Sequence, residues 1–299
     1  MRQDNPDKID VSVVIPVFNE RAAVRKCVTD IVEKMDTLPY NYEIIMVDDC
    51  STDGSMEEIK DLPVKIIRFP INKGGGAARL EGMKHARGDI ILQTDADGTY
   101  PVESIGEMLK GMEKFDMVIG ARKNESAKKY YVLRIFMKWF IKKIAEILVN
   151  QKIPDLNSGL RAYKKNIALK YAYLYPAGHS IMSTMTLAFM SEGHQVSFIY
   201  VDYYKRIGRS SFNIFKDTAL YLVTTLMTIV YFNPLKILLP LSAFISFLAV
   251  IFTIRDILRF GFGPVTIMLW LLVVLLMILG LISEQIRRVA KLIASRDTF

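Results

Sequence analysis

The sequence is poor in the residues that carry much of soluble-enzyme chemistry. Its two cysteines, Cys27 and Cys50, are spaced for neither a disulfide framework nor a zinc site, which suits a reducing compartment. Its three histidines, His85, His179 and His194, are scattered and are expected to be structural. No G-x-G-x-x-G turn follows the first apolar run and no G-x-x-x-x-G-K-[ST] occurs, so dinucleotide and P-loop readings lose their main support. Internal repeats and low-complexity tracts are missing, and the polar start, Met1–Asp10, does not read as a signal peptide. Positive charge and apolar residues are in excess: the net charge is +8, 51% of residues are hydrophobic, the mean hydropathy is +0.23 and the pI about 9.3. The 299 residues leave room for one domain of about 200 residues and an appendage.

Four apolar runs rich in Val and Ile, Val11–Pro16, Glu43–Val47, Val64–Phe69 and Asp89–Gln93, predict strands. Their apolarity is continuous rather than alternating, as in a parallel sheet buried on both faces. Helices fit between them at about Ala22–Met35, Gly54–Lys60 and Ala77–Ala86. That order predicts a doubly wound α/β domain, in which ligands bind beyond the carboxyl ends of the strands. Acidic residues collect at those ends: Glu20 beside Asn19, then Asp48 and Asp49, then Asp95 and Asp97. Asp95 and Asp97, in the run DADGTYP, are one residue apart at a strand end, so they can converge on one hard cation, Mg²⁺ or Mn²⁺, that also takes substrate phosphate. An Asp-Gly turn capping the strand is the bland alternative, and three such clusters at one edge argue against it. Asn72-Lys73-Gly74-Gly75-Gly76 could admit backbone close to a ligand or be a plain flexible turn.

The runs VVIPVFNE, DDCSTDG from Asp48, NKGGGAA and DADGTYP, in that order, resemble the family 2 glycosyltransferases of GT-A fold. The later segments DLNSGLR (Asp155–Arg161), YYKRIGRSSF (Tyr203–Phe212) and YFNP (Tyr231–Pro234) narrow the likeness to the dolichyl- and polyprenyl-phosphate sugar transferases. The resemblance implies that Pro16, Phe18 and Glu20 line a base and ribose pocket, with Asp48 and Asp49 on the nucleotide as well. It implies that Asp95 faces ribose or metal and that Asp97 is the principal metal ligand. Arg122 and Arg206 would neutralise the diphosphate. Ser158, Gly159 and Arg161, with the loop Gly208, Arg209, Ser210 and Ser211, would handle acceptor and phosphates. Thr99 stands where some relatives have a metal-contacting glutamine, and Arg209 and Ser211 replace the usual lysines of the loop. Gln285-Ile286-Arg287-Arg288-Val289 lacks the tryptophan of the processive QxxRW motif.

An absence bears on the acceptor. Transfer to a sugar hydroxyl needs a general base, and relatives of that kind carry a carboxylate between the SGLR-like segment and the later loop. Ala177–Ser191 contains no Asp or Glu. A phosphate is anionic at pH 7 and needs no base, so a nucleoside diphosphate sugar (UDP- or GDP-linked) and a polyprenyl phosphate are the expected substrates. A lipid-borne hydroxyl acceptor and a non-catalytic scaffold for lipid-linked sugars are the alternatives.

The carboxyl-terminal third agrees with a lipid acceptor. Ile237–Ile254 and Phe260–Ser283 are uncharged runs, each about long enough to cross a bilayer. Arg255, Asp256 and Arg259 between them mark a turn, and the two spans are set at about 237–254 and 263–282. The basic tail, 285–299, predicts a cytosolic end, and an even number of crossings then keeps the catalytic domain, 1–211, cytosolic, at a bacterial inner membrane. Segment 212–233 is expected to lie at the interface. Residues 128–150 repeat apolar residues at helical spacing, with Arg134, Lys138 and Lys142 along another side, either as an in-plane membrane anchor or as a core-facing helix. The basic charge fits anionic lipid rather than nucleic acid. The oligomeric state, a homo-oligomer included, is left open.

Overall fold

The computed structural model describes residues 8–123, 132–178, 180–208, 214–259, 261 and 263–296. His179, Arg209, Ser210, Ser211 and positions 128–131 of the expected amphipathic helix lie outside them. The chain divides into two compact units, Met1–Thr225 and Leu226–Phe299.

In the first unit the apolar runs form β1 (Val11–Val17), β2 (Tyr42–Asp48), β3 (Lys65–Arg68) and β4 (Ile90–Gln93), followed by β5 (Met117–Arg122), β6 (Arg161–Lys164) and β7 (Val196–Val201). They make one sheet in the order β3-β2-β1-β4-β6-β5-β7. Pairing is parallel except at β6, which runs antiparallel to both β4 and β5. Continuous apolarity has the expected cause. Val11, Val13, Ile15 and Val17 of β1 pack with Val24, Val28 and Ile31 of α1 (Val24–Asp36) and Met108 of α3 (Ile105–Gly111). Val14 turns to the other face, onto Ala78 and Met83 of α2 (Gly75–His85) and Phe189 of α6 (Ile181–Ser191). A strand covered on both sides takes apolar side chains on both faces, and the polar exception in β1, Ser12, is buried with its hydroxyl on Glu43 Oε1 (2.7 Å). In-register pairing of Val17 with Asp48 and of Val14 with Gln93 brings the ends of β1, β2 and β4 to one edge.

Three expectations are corrected. β3 is an edge strand with an exposed surface, not a doubly buried one, and Ile66 is 37% exposed. The helix expected at Gly54–Lys60 is a single 3-10 turn, Glu57–Ile59. Gly54 sits at φ +86° and Pro63 follows closely, so too few residues remain to repay helix nucleation. α2 begins at Gly75, inside the glycine run, two residues before the expected start.

α4 (Val132–Val149) lies on the amphipathic segment. It buries Ile141, Ala145 and Leu148 and leaves Trp139 and Ile147 exposed at 53% and 72%. Among its described side chains it is therefore core-facing on one side and apolar toward solvent on another. α7 (Ile214–Phe232) ends before Pro234, which has no N–H to give and opens the next helix.

Beyond the end of α7, the second unit is a helical hairpin of α8 (Pro234–Leu258) and α9 (Pro264–Arg296). Windows within them have mean hydropathies of 2.5 and 3.0, with only 11% and 17% of those windows buried. Phe244, Phe247, Met268 and Leu271 all point outward, each at least 60% exposed. Helices of this length and apolarity with bare flanks are those of a membrane-associated hairpin, not of a buried core. Arg255 and Asp256 belong to the last turn of α8 rather than to the connection. Asp256 accepts hydrogen bonds from Gly263 N (2.7 Å), Thr266 Oγ1 (2.5 Å) and Arg255 Nε (3.0 Å), and so ties the turn to the start of α9. Gly280 lets the helices approach closely, since a Cβ there would lie 3.2 Å from Leu235 Cδ2. α9 runs on to Arg296, so the expected basic tail is helical as far as that residue.

Candidate active site

The loops after β1 and β2 are stitched together. Asn19, at φ 56°, accepts from Thr52 N through its Oδ1 (2.9 Å), and its own N–H donates to Ser51 Oγ (3.0 Å). Glu20 N donates to Ser55 Oγ (2.9 Å) and Arg21 N to Asp53 Oδ2 (3.0 Å). Asp48, buried, accepts from Ser51 N (2.9 Å) and Arg68 Nε (3.0 Å). Pro16 and Phe18 are half-buried beside them. Asn19, Glu20, Arg21, Ala22, Asp53, Glu58, Ile207 and Gly208 line a cleft of ≈ 520 Å³.

Asp49 does something different: it organises the glycine loop, accepting from Lys73 N (2.7 Å) and Gly74 N (2.9 Å). Burial leaves its carboxyl above the usual carboxylate range despite those donors. The glycines admit the chain's own backbone. Gly76 N and Ala77 N both donate to Ala177 O, at 2.7 and 3.1 Å. A Cβ on Gly76 would meet the carbonyl oxygens of Pro176, Gly178 and Ala177 at 2.3, 2.5 and 2.6 Å. The first N–H groups of α2 are thus spent inside the protein.

Asp95 and Asp97 leave β4 with separate arginine partners. Asp95, 29% exposed at its side chain, accepts from Arg79 Nη2 through Oδ1. Its carboxyl lies against the α-carbon of Gly159, where a Cβ would fall 2.4 Å from Oδ2. Asp97, 8% exposed at its side chain, accepts from Thr99 Oγ1 (2.6 Å) and Thr99 N (3.1 Å), and its Oδ2 is 3.4 Å from Arg206 Nη1. Burial first, then the charge of Asp95, push its carboxyl above the usual range. Arg206 also binds Glu20 Oε1, joining the first and fourth strand ends. Burial pushes Glu20 up to about 7, with Arg206 pulling down and Asp97, Asp95 and Asp53 pushing up. The segment before Gly208 lies along the DADGT turn, with Tyr204 N on Thr99 O (2.9 Å) and Ile207 N on Asp97 O (3.3 Å). A Cβ on Gly208, at φ +99°, would lie 3.8 Å from Glu20 Oε2.

The remaining expected residues are divided. Arg122 forks onto Asp155, Nε to Oδ2 at 2.7 Å and Nη2 to Oδ1 at 3.0 Å, and lies over the Tyr203 ring. Ser158 is buried, with its Oγ on Gly120 O (2.6 Å), and Gly159 N donates to Tyr100 Oη (2.7 Å). Arg161 is 0% exposed, its guanidinium held by Ser158 O, Met182 O (3.0 Å) and Thr186 Oγ1 (3.2 Å). It braces the core beneath the site instead of presenting charge to a ligand. The sequence reading also missed Arg79, Tyr100 and Arg68. Arg79 carried a usable signal: an arginine between Ala78 and Leu80, on the helix that packs Ala78 and Met83 into the core, needs a buried partner.

The Arg122–Asp155 pair makes a stability prediction. Burial by itself pushes the Asp155 carboxyl up, but the hydrogen bonds and charge of Arg122, with Asn157 N, more than offset it and hold it below the usual range. The pair's contribution is therefore fully present above the unfolded carboxylate range and is lost as pH falls through the lower folded value. Arg122→Met leaves a buried, unpaired carboxylate and is expected to cost about 3 kcal/mol at pH 7. The deficit should shrink as pH falls below about 4 and be smallest below the lowered folded value, where the carboxyl is neutral in both states. Thermal melts of both proteins across that range check it, and a deficit independent of pH would exclude the pair as its source.

Buried polar atoms without partners gather here. Among the described residues they are Glu20 Oε2, Arg79 Nε, Arg206 Nε, Asn157 Oδ1 and Ser180 Oγ, and the first three belong to side chains that hold, or bridge to, Asp95 and Asp97. Native proteins rarely leave such groups bare, and water, an ion or a ligand usually completes them. The described residues bring together no group of three or more His, Cys, Asp or Glu that could hold a metal ion. Two carboxylates, Asp95 and Asp97, are the oxygen donors this edge offers a hard cation, which takes its other positions from phosphate and water.

The family model described as "Glycosyl transferase family 2" matches residues 12–171, and that of the "GtrB C-terminal hairpin" matches residues 233–289. The chain is 33% identical over 179 residues to an undecaprenyl-phosphate 4-deoxy-4-formamido-L-arabinose transferase of Aeromonas hydrophila, covering 55% of this chain and 52% of that one. It is 38% identical over 117 residues to a dolichol-phosphate mannosyltransferase of Pyrococcus furiosus, covering 38% and 33%. The chain spans about half the length of the curated relatives it matches. Its fold is similar to that of glucosyl-3-phosphoglycerate synthase from Mycobacterium tuberculosis, in complex with Mn²⁺, UDP-glucose and phosphoglyceric acid. The TM-score is 0.60 at 14% identity, over 74% of this chain and 80% of that one. At that identity the likeness carries the fold, a GT-A-like sheet.

Proposed function

We propose, from the premise that the chain belongs to glycosyl transferase family 2, that it transfers a sugar from a nucleoside diphosphate sugar to a polyprenyl phosphate, with inversion at the anomeric carbon. The observation that carries this reading is the acidic pair Asp95 and Asp97, each held by its own arginine at the edge where three strand ends meet. Support also comes from relatives named for transfer to undecaprenyl and dolichol phosphate, and from two helices long and apolar enough to cross a membrane.

Asp97, with Asp95, would hold Mg²⁺ or Mn²⁺, which supplies positive charge where the diphosphate leaves. Arg206 already lies between Glu20 and Asp97 and can turn its guanidinium to the same oxygens. Glu20, Pro16 and Phe18 would bound the nucleoside, with Asp48 and Asp49 fixing the loops around it. Gly159, Ser158 and Gly208 would bound the acceptor side, together with Arg209, Ser210 and Ser211. Arg122 would act from its fork with Asp155, through charge at one remove. α6 presents no carboxylate along Ile181–Ser191, so an acceptor that arrives already anionic suits the site better than an alcohol. The catalytic unit and the basic end of α9 would both be cytosolic, at a bacterial inner membrane, with the segment from α7 lying at the interface.

The test is direct. Purified protein in detergent with Mn²⁺, a panel of radiolabelled UDP- and GDP-sugars and undecaprenyl or dolichyl phosphate should give a lipid-soluble product that mild acid cleaves. An acid-stable glycolipid would point to a hydroxyl acceptor. Nucleotide-sugar binding with no product from any acceptor would overturn the enzymatic reading.

A further inference from the structure

Arg79 is a charged side chain held 8% exposed on the helix that follows the glycine loop, and neither sequence motif nor relative's name assigns it a role. Its guanidinium donates Nη1 to Gly75 O (2.9 Å) and Nη2 to Asp95 Oδ1, while Nε has no partner. Burying such a group costs several kcal/mol unless its partners compensate it, here Gly75 O and Asp95. The other side of Asp95 is equally constrained. Its carboxyl lies so close to Gly159 that any side chain there would collide with it, and Gly159 is fixed by its N–H on Tyr100 Oη (2.7 Å). Asp95 therefore has one oxygen tethered and the other resting on a backbone that only glycine permits, yet its side chain is still 29% exposed. Asp97 is framed from its own turn and from the loop instead of from the core. It is oriented by Thr99, next in its own turn, and by Arg206.

We propose that Arg79 is a positioning residue. It fixes the rotation of the Asp95 carboxylate from within the core, so that Asp95 meets the metal–nucleotide complex in one orientation. This rests on the functional reading above. A carboxylate free to rotate must be ordered at the moment of binding, whereas a tethered one is ordered by folding. Partners of this kind behind a metal-binding carboxylate change metal affinity by about 10–100-fold when removed. A forked guanidinium bonds Gly75 O and Asp95 at once, which the single ammonium of a lysine does less well.

The experiment titrates Mn²⁺ into the full-length protein by electron paramagnetic resonance, with UDP or GDP present and no sugar or acceptor. Arg79→Gln should weaken Mn²⁺ binding about tenfold or more, and Arg79→Lys by less. Asp95→Asn should weaken it too, and adding Arg79→Gln to Asp95→Asn should cost little more, because the arginine would act only through that carboxylate. Additive losses, or unchanged binding in Arg79→Gln, would overturn the proposal. If Arg79→Gln fails to fold, Arg79→Lys with and without Asp95→Asn decides by the same comparison. If the unaltered protein binds no Mn²⁺ with either nucleotide, the functional reading fails instead, and the two failures are distinct.

Discussion

Asp97→Asn should lower the initial rate of sugar transfer at least about a thousandfold, roughly 4 kcal/mol of transition-state stabilisation, and abolish measurable Mn²⁺ binding. The amide has the shape of the carboxylate, and its oxygen can still accept from Thr99 N and Thr99 Oγ1, so the DADGT turn should keep its form. What it loses is the charge of the most enclosed carboxylate of the pair, 8% exposed against 29% for Asp95. The melting temperature should move by no more than a few degrees. Rates and Mn²⁺ titrations on the folded variant check this, and turnover within tenfold of the parent would remove Asp97 from the reaction.

Gly76→Ala is the largest expected effect on folding, and its sign is informative. In an ordinary helix that change stabilises by about 1 kcal/mol. Here the new methyl would meet three carbonyl oxygens of residues 176–178 at 2.3–2.6 Å, and it would push the N–H groups of Gly76 and Ala77 away from Ala177 O. Backbone cannot rotate away as a side-chain tip can. A loss of at least about 3 kcal/mol is expected, or roughly 6–12 °C in melting temperature for a unit of this size. Calorimetry or a fluorescence melt measures it. A melting temperature equal to or above that of the parent would mean that the glycine loop is not clamped to the segment before α6.

Much of this is legible in the order of residues alone. Val/Ile-rich runs mark β1, β2 and β4 with their shared edge, because a strand covered on both faces takes apolar side chains on both, and polar ones such as Ser12 and Gln93 are buried with hydrogen-bond partners. The same cue overreaches at β3, where Lys65 and Arg68 already signal an edge, and at Gly54–Lys60, where a left-handed glycine breaks the helix. The acidic positions are visible as residues, but their partners are not. Arg79 is 16 positions from Asp95, and Arg206 is 186 from Glu20. Spacing along the chain does not encode contacts that the sheet order creates. For the same reason Arg161 looks like a ligand-binding arginine in a loop, while its neighbours on α6 draw it wholly inside. The glycine run also shows only that backbone comes close, not that the approaching backbone is the protein's own.

The central claim is that a divalent cation held at Asp97 and Asp95 carries the diphosphate of an activated sugar. Anomalous diffraction from crystals grown with Mn²⁺ and UDP or GDP tests it most directly. A manganese peak within about 2.2 Å of an Asp97 carboxylate oxygen, bridged to the diphosphate and within reach of Asp95, is the expected result. Nucleotide bound in the cleft with manganese at some other site, away from both carboxylates, would contradict it.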